Sequence, residues 1–328
     1  MFVLLVMGRR PINKMSLSRL FFLFGLMFSG LLHADDVDVW LGKMTRAMEI
    51  NNYQGTLIIR QADKVDALFV QHGIDKSGIW ESLEFLNGES RKVIRKKDTV
   101  KTIFPERELV TISHEIEQNP FHPQLPKNLS NLKQYYNIKL AGQDRIARKD
   151  AQILEIKPKD KFRYGFKFWL DMDTGLLLKC DLMDSDNKVV EQLMFSELTV
   201  LNKSPESLSE NEYKNFQSID LDLGRHAQVV NVWKAGQLPD GFMLTRSSTK
   251  PASDSAELVH QMIYSDGIAS VSVFVEKQMS AQKALSGVSK MGAVNAFGMS
   301  VNGHQVTVIG EVPVDTVRLI GQSIRYTQ

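Results

Sequence analysis

The sequence predicts an α+β protein of two domains, built mainly from antiparallel strands. Short runs with β-type alternation follow one another from residue 55 to residue 201, and turn dipeptides such as Asn87-Gly88 separate several of them. A polar segment at 202–215 divides these runs from a second set, which ends in a helical pattern at 314–324. Connections this short favour antiparallel meanders over parallel sheets with crossover helices.

The first 34 residues have the composition of a secretory signal peptide. The charged residues before the apolar run at 20–32 are all basic: Arg9, Arg10, Lys14 and Arg19. That run is shorter than the roughly 20 residues that a membrane-spanning helix needs, so an uncleaved anchor is the less favoured alternative. We therefore expect export, with cleavage after Ala34 and before the acidic Asp35.

The composition of the mature chain excludes several classes of protein. Removing the signal peptide takes four of the 40 Lys and Arg residues and none of the 38 Asp and Glu residues, so no net positive charge remains. Electrostatic attraction to nucleic acid or anionic lipid is therefore not expected. Cys180 is the only cysteine, which excludes an intramolecular disulfide; it alternates with Leu178 and Leu182, so we expect a buried structural thiol.

The elements of the first domain follow from the spacing of apolar residues. Val37, Leu41, Met44 and Met48 recur at helical spacing and predict an amphipathic helix over 36–49. Strands are then predicted at 55–61, 65–72, 78–86, 91–96, 99–104, 108–112, 136–142, 151–158, 164–171, 175–183 and 189–201. A proline-containing segment at 113–126 is predicted to be a loop between the two groups of strands.

The second domain is predicted to be a smaller antiparallel sheet with a terminal helix. Its strands are expected at 229–233, 241–248, 258–264, 268–276 and 305–309. Ser265-Asp266-Gly267 is predicted to be a tight hairpin turn. The predicted limits are a signal peptide at 1–34, an N-terminal domain at 35–201, a linker at 202–220 and a C-terminal domain at 221–328.

The sequence contains no motif that predicts catalysis, a metal or a cofactor. A nucleophile elbow, a phosphate-binding glycine loop and a His-Glu-x-x-His pair are all absent. His114, Glu115, Glu117 and His122 cluster beside the prolines, but their spacing matches no familiar metal site. A solvated loop is the expected structure there, and we predict neither catalytic residues nor a cofactor.

The apolar strand faces are the more informative feature. Tyr164, Phe166 and Phe168 alternate along one predicted strand, and Leu83 and Phe85 offer similar material from another. These five residues are the candidate lining of an apolar trough for an acyl chain, because few predicted helices are available to cover the sheet. The alternative is an ordinary sheet face covered by its own helix.

Six segments in order across both domains make the chain similar to the RseB/MucB family. They lie at 136–147, 168–179, 181–192, 238–242, 264–267 and 308–313. In the second of them a leucine and Lys179 stand where the family pattern has proline and arginine, which affects the detail of that hairpin.

The resemblance implies a fold and a function beyond what periodicity predicts. The first domain would be an unclosed antiparallel β-barrel similar to LolA and LolB, with helices in its concavity, and the second a smaller α/β domain. The protein would be a periplasmic negative regulator of sigma-E signalling. It would bind the periplasmic region of an RseA/MucA-like anti-sigma factor and shield it from proteolysis. Lipid, lipopolysaccharide or mislocalised lipoprotein would release it.

The second domain is where we expect most of the partner contact. The candidate surface is the predicted hairpin formed by Tyr264, Ser265, Asp266 and Gly267, because large amphipathic rings are favoured at interfaces. The alternative is that Tyr264 is a strand residue that packs inward. Two other functions stay open: a lipid or lipoprotein carrier, which would need only the first domain, and an envelope enzyme. Whether the protein forms a homo-oligomer is also left open.

Overall fold

The computed structural model describes residues 33–76, 78–114, 129–206, 210–221, 232–251, 257–278 and 285–327. All but the last two residues of the predicted signal peptide lie outside this part of the chain, and so do Glu115, Glu117 and His122. Cleavage after Ala34 therefore stays a prediction. Among the described helices, none is long and apolar enough to cross a membrane.

The first domain is built on one large sheet. Its strands are β1 (Asn52–Gln61), β2 (Lys64–Asp75), β3 (Gly78–Phe85), β4 (Lys92–Lys96), β5 (Thr99–Phe104), β6 (Leu109–Ser113), β7 (Tyr136–Ile146), β8 (Lys149–Pro158), β9 (Gly165–Asp171), β10 (Leu177–Met183), β11 (Val189–Leu201) and β12 (Gln217–Asp220). They are ordered β12-β6-β5-β4-β3-β2-β1-β11-β10-β9-β8-β7, and only β12 pairs in parallel. The predicted antiparallel meanders are confirmed.

This sheet is strongly curved but unclosed. Strands β7 and β12 form its two edges and do not pair with each other. Some Cα atoms of β7 nevertheless lie within 8 Å of β11, although three strands separate the two in the sheet. The predicted unclosed barrel is therefore confirmed, and one face of the sheet is concave.

Helix α1 (His33–Ile50) packs against the concave face. Val37, Leu41 and Met44 are buried in one core together with side chains from β1, β2, β3 and β8 to β11. The helix predicted over 36–49 is confirmed, since the same spacing that made it amphipathic now faces the sheet.

A second, shorter helix was not predicted. Helix α2 (Leu129–Tyr135) contributes the fully buried Leu132 to the same core and leads directly into β7. Seven residues are too few for a clear helical period, and the preceding prolines favoured a loop.

The described part of the second domain has a six-stranded sheet and one helix. Its elements are β13 (Trp233–Ala235), β14 (Met243–Pro251), β15 (Leu258–Ser265), β16 (Ser270–Lys277), β17 (Gly287–Met291), β18 (Val294–Val301), β19 (His304–Gly310), α3 (Val314–Gln322) and β20 (Ile324–Tyr326). The sheet order is β14-β15-β16-β19-β18-β17, and β13 pairs separately with β20. Helix α3 packs on β18 and β19, so the predicted smaller C-terminal domain is confirmed.

Three strands of this domain, β17, β18 and β20, are not predicted because their sequences lack a strong β signal. Strand β18 contains Asn295 and Gly298, which are both unfavourable in strands. A side chain at Gly298 would come within 2.2 Å of the carbonyl oxygen of Leu285, so glycine is required there by the close approach of the backbone.

The predicted linker at 202–220 is not a free connection where the structure describes it. Gln217 donates its backbone N–H to the carbonyl of Glu108 at 2.8 Å, and β12 adds a strand to the edge of the first sheet. The Trp80 indole N–H also donates to Ser204 Oγ at 3.2 Å. Polar composition correctly predicted exposed side chains but not this backbone pairing, which depends on no side chain.

Candidate functional site

Four of the five residues predicted to bind an acyl chain lie in the core of the first domain. Leu83 and Phe168 are fully buried, while Phe85 and Phe166 pack, partly buried, against the same core. The ring centroids of Phe166 and Phe168 are 5.7 Å apart. Helix α1 occupies the concavity against which these side chains face, so in this arrangement they form a packed core.

An apolar depression lies beside this core. It has room for about one water molecule. Its lining residues are Leu57, Leu177, Leu178, Lys179, Cys180, Leu193 and Phe195. An acyl chain could enter this region only if the surrounding side chains moved, and lipid binding by the five predicted residues stays a prediction.

Tyr164, the fifth residue, lies in the contact between the two domains. It packs with Leu182 and with Ala293 of the second domain. Its hydroxyl accepts a hydrogen bond from Asn295 Nδ2 at 2.9 Å, and the same amide group donates to the carbonyl of Val312 at 2.7 Å. Burial raises the pKa of Tyr164. The side chain therefore joins the domains through a buried polar contact.

The hairpin predicted to bind a partner faces the first domain. Tyr264 is only 3% exposed, and its hydroxyl accepts a hydrogen bond from the backbone N–H of Ala235 at 3.0 Å. Ser265 Oγ donates to the carbonyl of Ala269 at 2.8 Å and accepts from the N–H of Gly267. Tyr264 thus packs inward as a strand residue, and the hairpin is not a free surface in this arrangement.

Asp266 connects this hairpin to the first domain. Its Oδ1 accepts the backbone N–H groups of Ile268 and Ala269, which fixes the turn. Its Oδ2 accepts hydrogen bonds from Arg163 Nε at 2.6 Å and from the Tyr136 hydroxyl at 2.9 Å. Burial, followed by the charge of Asp266, raises the pKa of Tyr136 well above its ordinary value, so the phenol stays a donor.

Arg163 is the centre of the contact between the domains. Its side chain has no exposed surface and pairs with Asp160 as well as with Asp266. A third hydrogen bond goes to the backbone carbonyl of Asp240 in the second domain. Aromatic rings surround the guanidinium, with its Cζ 4.9 Å from the centroid of Tyr135, 5.7 Å from Tyr136 and 5.2 Å from Phe242. A buried charge with this many partners orders the groups around it.

A buried carboxyl group of the first domain also lies near the second domain. Glu191, on β11, is 5% exposed and accepts a hydrogen bond from Gln61 Nε2 at 2.9 Å. Burial, followed by the nearby charge of Glu311 from the second domain, raises the pKa of Glu191 to about 7. This group therefore changes charge near neutral pH.

Sequence reasoning missed Arg163 and Asn295. Arg163 pairs with Asp266 across 103 residues and Asn295 with Tyr164 across 131 residues, and neither Arg163 nor Asn295 belongs to a motif. Only the docking of the two domains brings Arg163 and Asn295 to their partners in the other domain, and no local sequence pattern indicates that docking. The prediction that Cys180 is a buried thiol is confirmed, and burial raises its pKa well above the ordinary value. Within the described ranges, no cluster of three or more metal-binding side chains occurs.

Fold and contact together define a two-domain protein in which a curved sheet with an apolar concave face meets a smaller sheet domain through buried polar groups. The chain belongs to the MucB/RseB family: the MucB/RseB N-terminal domain model matches residues 36–215 and the C-terminal domain model matches residues 227–325. The family predicted from six short segments is thereby confirmed over both domains.

Named relatives agree with this assignment over nearly their whole length. The chain is 28% identical over 323 residues to the sigma factor AlgU regulatory protein MucB of Pseudomonas aeruginosa, covering 94% of this chain and 96% of that protein. It is 25% identical over 313 residues to the sigma-E factor regulatory protein RseB of Haemophilus influenzae, with 92% and 95% covered. These relatives are regulatory proteins by name.

A solved structure of a complex shows the same architecture. The structure of the P. aeruginosa MucA/MucB complex superposes with a TM-score of 0.70 at 27% identity, and the match covers 89% of this chain and 99% of that one. A crystal structure of MucB superposes with a TM-score of 0.63 at 28% identity, covering 90% and 99%.

Proposed function

We propose that this protein is a periplasmic negative regulator of sigma-E signalling that binds the periplasmic region of an RseA/MucA-like anti-sigma factor. The observation that carries the proposal is the likeness to MucB over both domains, together with the solved MucB complexes that contain MucA. Export with cleavage after Ala34, and domain limits at 35–201 and 221–328, belong to the same proposal.

Binding would shield the anti-sigma factor from proteolysis, and lipid, lipopolysaccharide or mislocalised lipoprotein would release it. Such release requires that the two ligands favour different states of the protein, and the coupling must act in both directions. The contact between the domains is a candidate for the element that changes, because it contains buried polar groups that have few alternative partners.

The candidate ligand residues belong to this proposal as well. Phe166 and Phe168, with Leu83, Phe85 and Tyr164, would contact an acyl chain once the core around α1 opens. The hairpin at Tyr264–Gly267 would contact the anti-sigma factor once it leaves Arg163. Both roles therefore require a structural change: the core around α1 must open for the acyl chain, and the hairpin must separate from Arg163 for the anti-sigma factor.

A pull-down tests the main proposal. The mature protein, residues 35–328, is incubated with the immobilised periplasmic region of the MucA/RseA homologue from the same organism, with and without lipopolysaccharide. We expect retention without lipopolysaccharide and release with it. Absence of retention by a protein that circular dichroism shows to be folded would contradict partner binding and favour the lipid-carrier function.

A truncated chain tests the assignment of the partner to the second domain. The cut is placed after Leu221, because β12 belongs to the first sheet and its removal would expose the β6 edge. We expect the 35–221 fragment to lose partner binding while keeping the circular dichroism of a β-sheet protein. Full retention of affinity in this fragment would show that the first domain carries the contact.

A further inference from the structure

Two arginines, Arg91 just before β4 and Arg95 on β4, point toward the concave face of the first sheet. Arg95 is opposite Glu81 in the pairing of β3 and β4, and Arg91 accepts the backbone N–H of Phe85. Residues opposite each other in an antiparallel pair point to the same face. Leu83, which lies between Glu81 and Phe85 on β3, is part of the core, so this face is the concave one.

These arginines have buried donors without acceptors. Nε of Arg91, and both Nε and Nη1 of Arg95, are buried and have no hydrogen-bond partner. Nη1 of Arg95 forms an ion pair with the buried carboxylate of Glu81, although its distance of 3.9 Å from Oε2 is longer than a hydrogen bond. The Arg91 guanidinium lies 3.8 Å above the centroid of the Phe85 ring. Buried guanidinium donors beside an apolar wall are favourable only when an acceptor reaches them.

The two arginines lie on either side of Val93 and reach one anionic group when their side chains converge over it. Arg91 and Arg95 are four residues apart on an extended chain, which is about 13 Å at roughly 3.3 Å per residue. Val93 lies between them and packs, partly buried, against the core. Guanidinium groups match the oxygens of phosphate and carboxylate, whereas Val93 and Phe85 offer apolar surface to an alkyl chain.

We propose that Arg91 and Arg95 bind the anionic group, a phosphate or a carboxylate, of an amphiphile whose alkyl chain packs against Phe85 and Val93. This inference rests on the lipid ligand of the proposed function and specifies it: the ligand carries a negative charge, and the two arginines recognise that charge.

Three amphiphiles with the same alkyl chain test the requirement for charge. Dodecyl phosphate, laurate and dodecyl maltoside are titrated into the mature wild-type protein by calorimetry, each below its critical micelle concentration. We expect at least one anionic amphiphile to bind about tenfold or more tightly than the maltoside, because charged hydrogen bonds replace unpaired donors. Comparing the phosphate with the laurate identifies which anion the site prefers. Equal affinity for all three would overturn the arginine site and leave the acyl site standing.

The same strand supplies a matched control for mutation. Lys92 and Lys96 point to the opposite face and pair with Glu84 and Asp75. Arg91→Gln with Arg95→Gln should weaken anionic binding about tenfold or more and leave maltoside binding unchanged. Lys92→Gln with Lys96→Gln removes the same charge and should change neither. If the arginine variant binds the anions as wild type does, the inference is wrong.

Two further measurements keep the test decisive. If the double glutamine variant does not fold, Arg91→Lys with Arg95→Lys replaces it: this variant keeps the charges, loses only the forked donors and should also weaken anionic binding. Inorganic phosphate should compete with dodecyl phosphate for the wild-type protein. Absence of both effects overturns the inference. If no amphiphile binds while the anti-sigma pull-down succeeds, the lipid part of the proposed function fails together with this site.

Discussion

At the scale of single residues, Arg163 determines how the two domains meet. Its guanidinium is fully buried, and its acceptors come from both domains: Asp160 on its own side, and Asp266 and the Asp240 carbonyl on the other. Removing the guanidinium would leave Asp266, whose side chain is fully buried, without its counter-ion, which is more unfavourable than never having built the pair.

We expect Arg163→Ala to lower the free energy of unfolding by about 3–5 kcal/mol, because Asp266 and Asp160 would lose their buried counter-ion. Urea denaturation at neutral pH measures the change. Lys161→Ala is the matched control: Lys161 is 68% exposed and pairs with Asp315 at 3.0 Å, so its removal should change stability by about 1 kcal/mol at most. Similar effects of the two substitutions would contradict a special role for Arg163.

The carboxyl group of Glu191 predicts a specific pH dependence of stability. Its pKa is raised from the ordinary 4.5 to about 7, so between these values the folded protein binds a proton that the unfolded chain has lost. Stability from this group is therefore greatest at low pH and falls as pH rises from 4.5 through about 7, by about 3 kcal/mol at most.

Glu191→Gln should remove this dependence. The difference in unfolding free energy between variant and wild type should be larger at pH 8 than at pH 5, with the variant the more stable at pH 8. Glu197→Gln, on the same strand but exposed, serves as the control. Parallel pH profiles for wild type and Glu191→Gln would show that Glu191 is not protonated in the folded state.

Residue roles were predictable only where a local pattern determines them. Alternation with leucines correctly placed Cys180 in the interior. The sequence is compatible with Tyr264 either as an exposed interface residue or as an inward-packing one, and alternation cannot decide between them without knowledge of which face is covered. Asp266 and Arg163 are paired across 103 residues, a separation at which sequence periodicity carries no information.

At the scale of elements, α1 covers the concave face of the first sheet. We expect Leu41→Ala or Met44→Ala to destabilise the protein by about 2–5 kcal/mol, because each leaves a cavity in the main core. Val39→Ala, on the same helix with 64% of its residue surface exposed, should have little effect. Thermal or urea unfolding measures both, and equal effects would mean that α1 does not pack as described.

The pairing of β12 with β6 leads us to expect that loss of one backbone donor in β12 affects the structure only locally. Gln217→Pro removes the N–H that donates to the Glu108 carbonyl, whereas Gln217→Ala keeps it. We expect the proline variant to show faster hydrogen exchange at β6 and faster proteolysis within 210–221, with global stability little changed. Unaltered exchange at β6 in the proline variant would mean that the pairing does not persist in solution.

The elements that were predictable are those with a strong side-chain period. Alternation identified β1 to β11, and helical spacing identified α1 and α3. The missed elements α2, β12, β17, β18 and β20 are short, polar or interrupted by glycine, and they depend on backbone pairing or on packing against distant residues.

At the scale of the whole molecule, the contact between the domains leads us to expect that a covalent link between them would abolish regulation. Lys161 and Asp315 lie in different domains, are partly or largely exposed, and pair at 3.0 Å. Replacing both with cysteine, in a Cys180→Ala background, allows a short bis-maleimide to join the domains. We expect the cross-linked protein to respond no longer to lipopolysaccharide, binding the anti-sigma region to the same extent with or without it.

The uncross-linked double-cysteine protein is the control and should still release the partner. If the cross-linked form also binds and releases normally, lipid and partner compete for one surface, and movement of the domains is not involved. The number of domains and their class were predictable at this scale, but their docking was not, since it depends on complementary surfaces formed only after each sheet has folded.

The position of β1 in the large sheet also determines when that sheet can be completed during synthesis of the chain. One neighbour, β2, follows almost immediately, but Gln61 pairs on its other side with Glu191, 130 residues later. A growing chain can form β1 to β6 as a local meander, while β1 waits as an open edge for its second partner. A nascent chain that stops before residue 189 would therefore carry, at the centre of the future sheet, the kind of unpaired strand that most readily joins another chain.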